Sequence, residues 1–429
     1  MSGELLALEK AVAEIMEIAS GMGLDFFPLR LEVVPPEIMY TFGASGMPTR
    51  FAHWSFGKAY HRMKAEYDYN LSRIYELVIN SNPCYAFLLD RNTLLQNKLV
   101  VAHVLAHNDF FKNNAHFAAT PRDMIQRMAA NAERVEAYEF EHGREGVEKI
   151  LDAALALQYH INPRLGRGKA SPGSSSARGG ETPNHARRQQ EEEKEDLLYF
   201  ILENAQFLAD WERDLVAMVR GEALYFLPQL QTKVMNEGWA TFWHLRIMRE
   251  LELPEAEALD FARLHAAIVQ PNPQGLNPYR VGLAIFEDIA SRQGIEKIFE
   301  VREVDDDLSF FRNYLTPELI DILDLYLYAR AGDRWVVVEK DWRRVRESII
   351  ATKVNHGFPF IRVKEEDYGR RGELFLEHVH DGRDLDQLYL EKTLPYVFQL
   401  WGRPVHLETQ MEGRTVIFSY AGRAVEKRG

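Results

Sequence analysis

Two histidines four residues apart carry the first chemical signal in this chain. They lie in Lys98–Asn114, KLVVAHVLAHNDFFKNN, whose apolar residues recur at helical spacing. On a helix, His103 and His107 share one face with their Cβ atoms about 5–6 Å apart. Both imidazoles can then reach a single ion at a Zn–N distance of about 2.1 Å. A second constellation sits in Met235–His244, MNEGWATFWH. Glu237 and His244 are two turns apart, again on one face. A carboxylate inside so apolar and aromatic a helix is costly unless it is paired or ligating. Lys233 or Arg246 could pair with it, and the two histidines could be core residues satisfied by hydrogen bonds. Taken together the constellations favour a metal site, zinc or another divalent ion, held by His103, His107 and Glu237.

Two histidines from one helix and a glutamate from a later one is the ligand pattern of gluzincins, and EGWA is similar to the glutamate helix of some zinc metallopeptidases. A gluzincin carries its general base inside His-Glu-x-x-His, and Val104 stands at that position here. The peptidase mechanism therefore does not transfer. A base would have to come from His244, Asp109, Glu66 or Glu76, with His244 also open as a ligand. His53 and His61, beside Trp54 and Lys58, could line the same cleft or sit on the surface. His378 and His380 alternate on a predicted strand, where an exposed face is expected. Asp305–Asp307 reads as a solvated helix cap. Cys84 has no activating base beside it. No Gly-rich phosphate loop, nucleophile elbow or kinase signature is present.

The elements that would position these residues are mostly helices. Helical spacing marks Gly57–Ile79, the stretch from Leu95, Pro121–Gln158, Leu197–Met218, Glu255–Gln270, Tyr279–Gln293 and Pro317–Tyr328. Residues 162–196 are rich in Gly, Ser, Pro and charge, and predict a disordered loop insertion. Beyond Gly332, the runs Phe360–Lys364, Leu374–Val379, Val405–Thr409 and Thr415–Tyr420 read as strands. A helix between them is capped by Asp384 with Gln387 three residues on. The expected fold is mainly α: a large helical domain over 1–330 with a gluzincin-like helix arrangement, then a small α+β domain over 331–429.

With 429 residues the chain is long enough for more than one domain, and 51 basic against 64 acidic residues give a formal charge of −13. That balance argues against nucleic acid or an anionic membrane as a general partner. The single cysteine excludes an internal disulfide. No run of about 18 apolar residues predicts a transmembrane helix, and the start has neither the basic residues nor the unbroken apolar run of a secretory signal. A cytoplasmic location is expected. Oligomeric state has no signature.

Several strings together closely resemble the stage V sporulation protein R family. They are WSFGKAYHRMKAEYDYNLSRIYELVINSNPCYAFLL, NKLVVAHVLAHNDFFKNNAHF, MNEGWATFWH, NPYRVGLAIFEDI and GRDLDQLYLEKTLPYVFQLWGRPVHLET. The resemblance runs from about residue 5 to 425, broken after Asn162. It implies a part in forming the peptidoglycan cortex of spores and, where members occur without sporulation, a stress-response setting. There the gene often lies beside those of a PrkA-type serine kinase and a von Willebrand-type protein. Those two are the partners it implies, and it carries no settled enzymatic activity. From the phenotype, a metal-dependent hydrolase acting on an amide or related bond of an envelope precursor is expected, with a regulator or scaffold working with the kinase as the alternative. His103, His107, Glu237 and His244 match the family pattern. Asn108 and His116 depart from it, where Cys and Arg are common, and so should not be essential to a shared metal site.

Overall fold

The computed structural model describes residues 2–68, 76–165, 190–272 and 275–429. The chain is mainly α and divides into two compact units, each assembled from two stretches: 1–128 with 228–356, and 129–227 with 357–429. The break expected at 331 therefore lies at 356/357, and the helical stretch 129–227 belongs with the C-terminal sheet. No helix among the described residues is long and apolar enough to cross a membrane.

The first unit is built around Leu94–Asn113 and Lys233–Glu250. Leu94–Asn113 begins at a capping box, in which Thr93 accepts from Gln96 N while the Gln96 side chain accepts from Thr93 N. From Leu99 to Phe111 it is buried on every face, so apolar residues surround it without a polar side. Lys233–Glu250 starts on Asp307, whose carboxylate accepts from Val234 N and Met235 N. Burial raises that carboxyl to about 6, and Lys353 opposes the rise. The acidic run is thus divided: Asp306 caps its own helix Asp307–Tyr314, while Asp307 is buried against a different one.

A three-stranded sheet lies in the same unit. Leu29–Val34 pairs parallel with Cys84–Leu89, which pairs antiparallel with Glu76–Ile79. The helix expected over Gly57–Ile79 is shorter, Trp54–Asp68. Leu77, Val78 and Ile79 make a strand because they find partners in Phe87, Ala86 and Tyr85. Cross-strand packing overrides a helical spacing that local sequence cannot distinguish. The expected helix at Pro317–Tyr328 likewise stops at Leu323, and a hairpin, Leu327–Ala331 with Arg334–Glu339, follows.

In the second unit five strands lie in the order Val425–Arg428, Arg414–Tyr420, Val405–Met411, Glu373–His378, Ile361–Tyr368. The two central strands are parallel, joined by the helix Gln387–Trp401. Asp386, not Asp384, caps that helix by accepting from Tyr389 N; Asp384 instead accepts from Glu412 N and pairs with His380. Of the predicted loop 162–196, residues 166–189 lie outside the described residues. Its two ends are built into the unit. Asp196 is fully buried, accepts from Asn162 N and is paired with Arg220 at 2.8 Å. An ion pair explains why a segment read as polar loop has a buried end.

Candidate metal centre

His103 and His107 come from the middle of Leu94–Asn113, and Glu237 from the first turns of Lys233–Glu250. The two imidazoles stand edge to face with ring centroids 4.5 Å apart. Their Nε2 atoms are 3.0 Å from each other, and Glu237 Oε2 is 3.6 Å from the first and 3.5 Å from the second. A tetrahedral ion with bonds of about 2.05 Å separates its ligands by about 3.3 Å. The observed triangle has that size. Glu237 Oε2 is buried and meets full hydrogen-bond geometry with no group; the two imidazoles beside it offset its charge.

Neighbouring side chains fix how the rings face. Asn236 Oδ1 lies 2.8 Å from His107 Nδ1. An amide oxygen only accepts, so Nδ1 carries the hydrogen and the Nε2 lone pair points at the cluster. On its far side His103 meets His244, Nδ1 to Nδ1 at 3.0 Å, and His244 Nε2 meets His265 Nδ1 at 3.1 Å. His244 is fully buried and stands behind His103, on the ring edge opposite the cluster. It is placed to orient the His103 ring, and burial together with the neighbouring imidazoles depresses its pKa.

The electrostatics are those of a compact donor set. Burial acts against the Glu237 charge, yet His103 and His107 hold its carboxyl far below the usual range. Burial likewise acts against a charged His107, and Glu237 outweighs it, so His107 is raised. Two further groups border the cluster. Glu76, at the start of its strand, is raised by burial and interacts with both histidines and Glu237. Tyr279 lies beside His103, ring centroids 6.0 Å apart, and interacts with the Glu237 carboxylate; burial and that carboxylate push its phenol upward.

A close helix crossing brings Tyr279 there. Gly238, next to Glu237, faces Gly282 in the helix Pro278–Gln293; a Cβ on Gly282 would lie 2.3 Å from Val234 O and 2.6 Å from Gly238 Cα. Only glycine permits that approach.

Other expected site residues lie elsewhere. Asp109 is fully buried on the opposite side of its helix, accepting from Asp25 N and Trp239 Nε1, with Arg302 at 3.4 Å; burial raises it to about 6. Its oxygens are committed to structure, which removes it as the base. Glu66 lies on Trp54–Asp68, 4.0 Å from Arg62 with a side chain 42% exposed, outside the cluster. His53 is buried against Ser55, and its Nδ1 lies 2.7 Å from the Ser55 hydroxyl; His61 is exposed. His378, expected on an exposed face, is buried against Thr409. The Cys84 thiol donates to Ile79 O and burial pushes it up to about 12, which suits a core residue and not a nucleophile. Asn108 holds the Phe27 backbone and His116 contacts Gln231, both apart from the cluster. Asn236, Tyr279 and His265 carried no signal in the sequence beyond neighbouring Glu237 or falling in a helical run.

The fold and the cluster define a mainly helical protein with a buried two-histidine, one-carboxylate donor set presented by two packed helices. Comparison with known families places it further. The model described as SpoVR like protein matches residues 3–178 and 169–358, and that described as SpoVR-like C-terminal domain matches 359–412. The chain belongs to the SpoVR-like family. A curated relative, uncharacterized protein YcgB of Escherichia coli (strain K12), is 30% identical over 475 residues, covering 95% of this chain and 93% of the relative. No solved structure matches.

Proposed function

We propose that His103, His107 and Glu237 hold one divalent ion, zinc first, and that the centre serves a hydrolase acting on an amide or related bond of a cell-envelope precursor. The observation that carries the metal is the triangle of Nε2, Nε2 and Oε2 atoms, spaced as the ligands of one tetrahedral ion would be. The substrate class rests on the family resemblance. Such an ion lowers the pKa of coordinated water toward about 7. The chain's own residues supply the rest. Asn236 and His244 orient the ligand rings. Glu76, half-buried and in electrostatic contact with both histidines and Glu237, is the carboxylate assigned to take a proton where Val104 cannot, and its raised carboxyl suits a general base. Tyr279 offers a hydroxyl donor next to Glu237.

Val104 also favours a second reading, in which the same ion is structural and the protein is a regulator or scaffold working with a PrkA-type serine kinase and a von Willebrand-type protein. Both readings are tested on full-length protein purified without chelators or a nickel column. About one divalent ion per chain is expected by elemental analysis, absent from His103→Ala. Protein that takes up no zinc, cobalt or manganese on titration sinks the site. Under the hydrolase reading, Glu76→Gln keeps the ion and the fold but abolishes biological activity; retained activity in that variant leaves the scaffold.

A further inference from the structure

The C-terminal sheet carries a second chemical constellation, in the other compact unit and independent of the metal. His406 and Ser419 are direct cross-strand partners, and Phe375 is the partner of His406 on the other side. Glu373 is two residues from Phe375 on one strand, so Glu373, Phe375, His406 and Ser419 all face the same side of the sheet. Their side chains are linked. His406 Nδ1 is 2.8 Å from Ser419 Oγ, and His406 Nε2 is 2.9 Å from Glu373 Oε2.

The tautomer follows from the acid. Arg371 grips Glu373 through Nε and Nη2 at 2.6 and 2.8 Å, and this guanidinium, helped by His406 and against the opposing effect of burial, holds the carboxyl below its ordinary range. An ionised carboxylate only accepts, so His406 Nε2 carries the hydrogen. Nδ1 is then a bare lone pair, and the Ser419 hydroxyl donates to it. The ring is held between Tyr368 and Phe375, with centroids 5.0 and 6.2 Å away. Nucleophile, base and orienting acid are thus in hydrogen-bond order, the arrangement that activates a serine.

The three groups line one open cavity of about 660 Å³. Its walls include Ile417 and Pro404, and its charged lining is Arg371, Arg423 and Arg428 against Glu373 and Glu426. Three cations against two anions leave a positive cavity. A Ser–His–Glu ladder that served only the sheet would not need an open, positively charged cavity in front of its hydroxyl.

We propose that Ser419, His406 and Glu373 form a serine nucleophile site for a short carboxylic ester bearing a negative charge. Ser419 Oγ bonds to the carbonyl carbon as its proton passes to His406 Nδ1. The C–O bond to the leaving group breaks, and the alcohol departs with that proton. Water then adds to the acyl-serine, gives a proton back through His406 and releases the acid, regenerating Ser419. Ester and water become acid and alcohol with no other reactant. Arg423, on the cavity wall, is the cation available to the developing negative charge.

The test is covalent labelling of the full-length protein with a fluorophosphonate, with the adduct mapped by mass spectrometry. The expected result is one adduct at Ser419, absent from Ser419→Ala and slowed at least about 100-fold by His406→Gln, the size of a lost general base. Glu373→Gln gives a second reading that preserves shape. Labelling should be unchanged by EDTA and by His103→Ala, which separates this site from the metal centre. Folded wild type that takes no label overturns the proposal. So does a Ser419 adduct whose rate is the same in folded His406→Gln and Glu373→Gln, because that marks an accessible hydroxyl and nothing more.

Discussion

Adding one methyl group at Gly282 should be among the most damaging small changes in the first unit. Helix propensity alone predicts the opposite, since Ala is favoured over Gly by about 1 kcal/mol in a helix interior. The geometry decides the sign. A Cβ there meets Val234 O at 2.3 Å and Gly238 Cα at 2.6 Å, and both obstacles are backbone, which cannot swing aside as a side-chain tip can. The helices Lys233–Glu250 and Pro278–Gln293 would have to part by about 1 Å. Overpacking of a tight core costs about 1–3 kcal/mol or more, and the rigid obstacle puts this case at the upper end. After subtracting propensity, Gly282→Ala should lose about 2 kcal/mol. Gly57 is the control, because its Cβ in Trp54–Asp68 meets nothing within 4 Å; Gly57→Ala should be neutral or slightly stabilising. Urea unfolding followed by tryptophan fluorescence reads both, with Trp239 and Trp243 on the affected helix. A Gly282→Ala midpoint equal to or above that of Gly57→Ala would refute the crossing as described.

Three more outcomes are expected. Asn236→Ala should weaken zinc binding about 10–100-fold, as loss of a group that orients a ligand does, while leaving stoichiometry near one in a competition titration. Arg220→Met strands the fully buried Asp196 carboxylate and should cost about 3–5 kcal/mol in thermal or urea unfolding; an unchanged midpoint would mean the pair is solvated. The third concerns His160, whose Nδ1 is buried without a partner and whose pKa burial lowers to about 4. A depressed histidine binds its proton more weakly when folded, so its contribution is fully present above the unfolded value of about 6.5 and is lost as pH falls toward 4. The difference is worth about 3 kcal/mol. His160→Leu should therefore match wild type at pH 7.5 and overtake it progressively between pH 6.5 and 4, and parallel pH profiles would contradict this.

The cluster of His103, His107 and Glu237 was legible because its signals are local. His103 and His107 sit at one helical repeat on a helix too apolar to have a solvent face, and Glu237 is a charge where a charge is expensive. The helical character and the C-terminal hairpin around Glu412–Gly413 were legible for the same reason. What escaped depends on pairing across distance. Asn236 meets His107 across 129 residues, and no spacing rule reaches that far. Glu76–Ile79 carries apolar residues compatible with either helix or strand, and only Cys84–Leu89 beside it decides. Two of the three unit boundaries were invisible because they fall inside Met124–His142 and Asp210–Gln231, where continuous helices leave no linker composition to detect; the third lies in the short turn Val354–Gly357. Asp109 misled because an acidic residue two positions from His107 looks proximal in sequence, yet a helix turns it to the far side.

The interleaving of the two units bears on the order of events during synthesis. His103 and His107 belong to the first stretch to leave the ribosome, while Glu237 arrives only after residues 129–227 have been made. Until then the nascent chain exposes an imidazole pair with neither its carboxylate nor the Asn236 amide that aims it. A two-nitrogen site of that kind binds ions weakly and with little choice. Under the proposed function, selection of the ion is therefore deferred to the moment when Lys233–Glu250 docks on Leu94–Asn113. The same order means that a chain cut at 358, where the two family models meet, keeps His103, His107 and Glu237 but strips 129–227 of the sheet it folds against.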